Sequence, residues 1–246
     1  MTSRQRRLVA VPVGAGLAVV LALAFHGLPA FGTAHHPYGD ASVRAALALR
    51  HTANAVGSVT FDQRGLDTLF EEFILLAAVL GVRLLLRPAA GEHQGTDPDR
   101  EPRSPAAVRA TVLVLLGVTA VLSVSVVLHG HLSPGGGFQG GVLAASGLHL
   151  LYVGGGPRTL ARFRPSAALE LLEAAGAGGY VVIGLVGLVG SGSFLANDLP
   201  LGRTGSLLSA GTVPLLNIVV GFEVGAGLVL LLASYFAQER LAEGPR

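Results

Sequence analysis

One carboxylate stands out by where it falls. Glu223 lies near the middle of an apolar run, Val213 to Ala233, with Asn217 about two turns before it. A carboxylate at the centre of a bilayer costs roughly 2.5–3.5 kcal/mol on insertion scales. It persists where it faces protein or water, as in an ion path or a proton relay. The competing reading is a protonated Glu223 bonded to a neighbouring helix or to another subunit. A second acidic group, Asp67, Glu71 and Glu72, opens the run Leu66 to Leu86. Asp67 and Glu71 are four apart and Arg64 is three before Asp67, so these three share a helix face. Such a cluster suits a cation site or a proton entry. Its structural alternative is an ion pair at a helix start, where acidic residues match the dipole. Adjacent carboxylates point different ways, so one of Glu71 and Glu72 is expected to face the headgroups.

The densest unusual run is His129 to Gly141, which holds Gly130, His131, Pro134, Gly135, Gly136, Gly137, Phe138, Gly140 and Gly141. Glycine opens backbone angles closed to other residues, and Pro134 fixes one angle and removes a donor. The segment therefore predicts a tight turn with bare backbone between two membrane helices. Non-helical backbone at membrane depth survives only against protein or water. No Lys and no Ser/Thr follow as they do in a phosphate loop, which argues against a nucleotide site. His131 titrates near neutral pH in its ordinary state, and the spacing of His129 and His131 matches no strong metal motif. No cofactor, metal or hydrolase pattern is expected.

These residues need helices in lipid to hold them. The chain has 246 residues, of which 51% are hydrophobic and 13% charged. Its mean hydropathy is +0.61. Soluble domains are roughly a quarter charged, so this chain lacks the polar surface for a water-soluble globule. All 17 basic residues are Arg and they are scattered, which gives no nucleic-acid patch. There is no Cys, which excludes a disulfide scaffold and a thiol enzyme. Six apolar runs approach the roughly 20 residues that span a bilayer: Leu8–Leu28, Leu66–Leu86, Val108–Leu128, Gly137–Val153, Leu171–Gly190 and Val213–Ala233. The expected fold is all-α, a polytopic membrane bundle of about six helices.

With the N-terminus in the cytoplasm, thirteen arginines fall inside and four (Arg44, Arg50, Arg64 and Arg203) outside. This bias places both termini in the cytoplasm. A cleaved signal peptide is the rival reading of the first run, with Gly32-Thr33-Ala34 as the cleavage site. The long outer segment, Pro29 to Arg64, predicts a short interfacial helix within Ala41–Ala55. Residues 92–105 are polar and Pro-rich, hence a linker between a two-helix module (1–91) and a four-helix module (106–246). Gly221/Gly225, Gly137/Gly141 and Ala175/Gly179 are small-xxx-small pairs that let helix backbones approach closely.

The glycine run resembles the signature of the B subunit of multisubunit sodium/proton antiporters of the Mrp or Mnh type. The residues that carry it are Gly130, His131, Pro134, Gly135, Gly136, Gly137, Phe138, Gly140 and Gly141. Val59 to Glu71 resembles the C-terminal piece of the large A subunit, which also occurs as a small subunit of membrane-bound hydrogenases. Asp62, Arg64, Gly65, Asp67, Thr68 and Glu71 match, and Phe70 replaces the usual Gly. The resemblance implies a bacterial cell-membrane complex that exchanges sodium for protons, with larger hydrophobic subunits as partners. It ranks Glu71 above Glu72. Glu71 is then the expected relay or cation ligand, with Asp67 in support and Arg64 as counter-charge. Glu223 is a second relay site, and His131 tunes the glycine turn by protonation. The alternatives are a scaffold subunit that carries no ions, and a membrane arm of an energy-converting hydrogenase.

Overall fold

The computed structural model describes residues 3–28, 32, 36–87, 104–163 and 166–242. The linker read at 92–105 lies, up to residue 103, outside the described residues. So do Thr33 and Ala34 of the alternative cleavage site, and Arg100, Arg103, Arg164 and Arg246 of the arginine count.

The chain is a polytopic helical membrane protein, with no strand among the described residues. Its helices are α1 (Ser3–His26), α2 (Pro37–Arg44), α3 (Ala55–Ser58), α4 (Gly65–Leu85), α5 (Ala106–Leu128), α6 (Gly137–Phe163), α7 (Ser166–Ser191) and α8 (Val213–Ala242). Every apolar run read from the sequence lies largely or wholly within one of the long helices. Three segments, Ala106–Leu128, Ala167–Ser191 and Val213–Gln238, are long and apolar enough to cross a membrane on length and composition alone. The 23 residues of α5 rise about 35 Å at 1.5 Å each, against a hydrocarbon core of roughly 30 Å. α4 is of similar length but carries Asp67, Glu71, Glu72 and Arg83, and such charge is held at membrane depth only by protein neighbours.

Two compact units are present, residues 1–39 and 40–246. The first contains α1, which includes Pro12. The second holds everything else discussed below. In the stretch Ala41–Ala55, where a short helix is expected, α2 runs from Pro37 to Arg44 and continues as a π-helical turn at Ala45–Leu49. Ser42 and Ala46 face inward, and Val43, Leu47 and Leu49 stay exposed. A second π-helical turn, Val59–Gln63, leads from α3 into α4.

α8 is the centre of the second unit and packs against α4, α5, α6 and α7. Pro214 sits in its first turn, where a missing N–H costs nothing. A helix apolar on all sides needs cover on all sides, and Val213, Leu216, Val220, Val224, Val229 and Leu230 are all buried. On one side the two GxxxG pairs face each other: a Cβ placed at Gly141 would lie 2.8 Å from Val224 Cβ and 2.9 Å from the Gly221 carbonyl oxygen. α6 and α8 therefore meet backbone to backbone, as the small-residue spacing predicts. On the other side, α4 and α7 close over α8 around Phe61, Leu69, Tyr180 and Leu216.

Candidate functional site

The register of α4 decides which carboxylate turns inward. Its buried residues are Gly65, Thr68, Leu69, Glu72 and Val79, spaced i, i+3, i+4, i+7 and i+14. This is one helical face. Glu72 lies on it and has no solvent exposure, whereas Glu71, about 100° round the helix, is exposed on this chain. Of the two adjacent carboxylates, the one on the family's acidic position is thus the outer one. The resemblance ranks Glu71 above Glu72, and the i, i+3, i+4, i+7 stripe in the sequence is the signal that points to Glu72 instead.

Glu72 meets Glu223 of α8 inside the α4–α7–α8 seam, their carboxyls within hydrogen-bonding reach of each other. Glu223 is 1% exposed. No donor is present for any of their four oxygens. Ionised carboxylates only accept, so two of them bond each other only through a proton. A proton on either carboxyl would let it donate to the other. Glu173 of α7, also buried, is the next charge that Glu223 senses. Above the pair, the Thr68 hydroxyl donates to the Thr60 carbonyl (2.7 Å) and the Tyr180 hydroxyl to the Gly65 carbonyl (2.9 Å). These bonds fasten the head of α4 to the turn before it and to α7. Below the pair, Arg83 in the last turn of α4 binds Glu170 of α7 at 2.5 Å.

The other acidic candidates sit at the surface of this chain. Arg64 and Asp67 form an ion pair with both side chains more than half exposed. Glu71 lines a cleft of about 260 Å³ together with Thr60, Gly135, Gly136, Gly137, Phe138 and Gln139. The fold thus brings Glu71 beside the glycine turn, although the two are far apart in sequence. Asp62, unremarked as a charge in the sequence reading, lies 3.3 Å from the Arg50 guanidinium with only 2% of its side chain exposed. Burial pushes its carboxyl above the ordinary range, against the pull of Arg50.

The glycine turn is shaped around Asn217. The Asn217 side chain is buried; its Oδ1 accepts from the Gly137 N–H (2.9 Å) and its Nδ2 donates to the Val213 carbonyl (2.9 Å). Gly136 has φ +138°, and a Cβ there would stand 2.6 Å from Asn217 Oδ1. Only glycine meets both conditions. Gly140 accepts from the Ser123 hydroxyl at 2.7 Å, which ties α5 to α6. From the other half of the unit, Asn54 Nδ2 donates to the Gly130 and Ser133 carbonyls (2.8 and 3.0 Å), and its backbone N–H donates to the His131 carbonyl (3.1 Å). The same Asn54 caps α3 by accepting from the Val56 N–H. His131 is fully buried in this turn, with Nε2 donating to the Ser206 carbonyl at 3.3 Å and Nδ1 without a partner. Burial pushes its imidazole below the ordinary histidine value, against the pull of the backbone carbonyl of Ser206, because the charged ring loses its hydration.

Known proteins resemble this chain in sequence and fold. Residues 107–230 match the family described as a domain related to the MnhB subunit of Na+/H+ antiporter. An uncharacterized protein of Methanocaldococcus jannaschii is 31% identical over 194 residues, which cover 71% of this chain and 74% of that protein. A chain of the membrane-bound sulfane sulfur reductase, an archaeal respiratory membrane complex, superimposes with a TM-score of 0.74 at 26% identity. The match covers 94% of this chain and 98% of that one. A chain of the Mrp complex from Dietzia sp. DQ12-45-1b superimposes with a TM-score of 0.71 at 25% identity over 95% of this chain. The present chain spans 26% of that longer one. The chain belongs to the family of membrane-complex proteins whose shared domain is related to the MnhB subunit of Na+/H+ antiporters.

Proposed function

We propose that this chain is a proton-carrying membrane subunit of a multisubunit cation/proton antiporter, with other hydrophobic subunits as its partners and sodium as the exchanged cation. The observation that carries the reading is the meeting of Glu72 and Glu223 inside the seam of three helices. Buried acids at membrane depth are costly and are kept where protons or ions pass. In this reading the shared proton moves from the carboxyl of Glu72 to that of Glu223 as each in turn is the donor. Membership of the family and the likeness to a chain of an Mrp complex support the antiport assignment. The arginine bias supports an N-terminus in the cytoplasm, with the head of α4 outside. Glu71, exposed in the cleft beside the glycine turn, is placed to face a neighbouring subunit or the cation.

E72Q and E223Q test the reading in everted vesicles that carry the whole complex. Each is expected to lower proton-coupled exchange by about a hundredfold, in line with loss of a proton-transfer group, with the complex still assembled. Unchanged exchange in both variants leaves the chain a scaffold. A second reading, the membrane arm of a redox complex, is favoured by the near-complete match to a sulfane sulfur reductase chain. Co-purification in mild detergent separates the two: an iron–sulfur protein in the recovered complex selects the redox arm, and antiporter-type subunits without one select the exchanger.

A further inference from the structure

The stripe that places Glu72 also places Arg83. They are eleven residues apart on α4, close to three full turns, so Arg83 continues the same face roughly 16 Å further along the helix. Opposite it, α7 presents Glu170 and Glu173, three apart and on one face. The Arg83 guanidinium binds Glu170 at 2.5 Å, and its charge also reaches Glu173. The two glutamates differ in surroundings. Glu170 keeps 46% of its side chain in contact with the exterior. Glu173 is 3% exposed, and its buried Oε1 has no hydrogen-bond partner. That oxygen points at α8, 3.0 Å from where a Cβ on Gly227 would stand. Gly227 is one turn beyond Glu223, so the Glu173 carboxyl lies about one helical pitch, roughly 5–6 Å, below the Glu72–Glu223 pair.

We propose that Glu173 is a third proton-binding carboxyl, and that Arg83 swings between Glu170 and Glu173 as the proton arrives and leaves. The inference rests on the relay reading above and adds its inner end. A proton passed from Glu223, directly or through one bridging water, neutralises Glu173. Neutral Glu173 has no hold on Arg83, which stays with Glu170, as found here. When Glu173 gives its proton up at the end of the bundle where α4 stops and α7 begins, the bare carboxylate draws Arg83 inward. Arg83 stays charged throughout, and the next proton sends it back. The unpartnered oxygen of Glu173 is what this cycle requires of its protonated state.

The test again uses the whole complex in everted vesicles, with E72Q and E223Q run alongside. E173Q and R83Q are each expected to slow exchange about tenfold or more, and R83K to restore most of it. E170Q is the decisive variant. An exposed ion pair contributes little to stability, so a static pair predicts normal exchange. A swinging Arg83 predicts that E170Q traps the guanidinium on Glu173 and slows exchange about tenfold with normal assembly. Infrared difference spectra between acidic and alkaline states are expected to lose one protonated-carboxyl band in E173Q. Where E173Q does not assemble, E170Q and R83K decide. Exchange at the normal rate in E170Q overturns the swing. Loss of exchange in E72Q and E223Q with full exchange in E173Q overturns the third site and leaves the relay pair standing. Full exchange in E72Q and E223Q overturns both.

Discussion

The two sides of α8 differ in what they carry. Towards α6 it offers Gly221 and Gly225, and the helices touch through bare backbone. Towards α4 and α7 it offers Glu223, two residues from each glycine and so about 200° round the helix. The glycine side has shape and no ionisable group at the contact. The carboxyl side accepts the cost of buried acids and closes around them. α7 also comes close to α8 through a glycine, Gly176, whose added Cβ would stand 2.7 Å from the Val219 carbonyl oxygen, and small residues of this kind suffice to hold membrane helices. Three acids in the other seam therefore point to chemistry rather than cohesion.

The contrast can be broken at either side. The largest effect is expected at G141L, which drives a leucine into a contact with no spare room. Overpacking of this kind costs about 3 kcal/mol or more, seen as a fall in the melting temperature of the detergent-solubilised complex. A melting temperature within error of the wild type would mean that the glycine seam is not the rigid side. A smaller effect is expected at His131 in the glycine turn. Its imidazole sits below the ordinary histidine value in the folded chain, so the unfolded chain binds more protons below about pH 6.5. Stability should therefore fall as pH drops through that value, by at most about 1.4 kcal/mol per pH unit, and H131Q should remove that part of the slope. An unchanged slope in H131Q assigns it to another group. The smallest effect on stability is expected from the double variant E72M with E223M. Replacing both members of a buried polar pair by apolar groups of similar size is close to neutral, within about 1 kcal/mol. That variant should melt like the wild type and carry no protons; a large destabilisation would recast the pair as cohesive.

Much of this architecture is legible in the sequence, for a physical reason. A bilayer demands long apolar runs, and all six runs are helical. The glycine run reads as a shaped turn because Pro134 and three consecutive glycines fit little else. What it wraps is not legible, since the contact with Asn217 joins residues eighty positions apart. Glu223 announces itself by lying in the middle of a span. Glu71 and Glu72 are adjacent, so composition does not choose between them; the burial stripe of α4 does. Glu173 escapes notice because it is three residues inside the start of the run Leu171–Gly190, where an acid reads as an end-of-helix charge. Only the crossing of α7 over Gly227 turns it inward. Arg64 and Asp67 pair as their spacing predicts, on the outer surface of this chain.

The flush contact of α6 with α8 has a mechanical consequence. Helices that touch through their main chains have no side-chain cushion to compress, so the pair behaves as a fixed post. α7 is held to α8 in the same way, since a Cβ on Gly176 would stand 2.7 Å from the Glu223 backbone nitrogen and the Val219 carbonyl oxygen, so any movement that admits water to the acids must come from α4 leaning away or from the acids turning on their own stems. The subunit is stiff where α6 and α7 clasp α8, and α4 is the side left to give way.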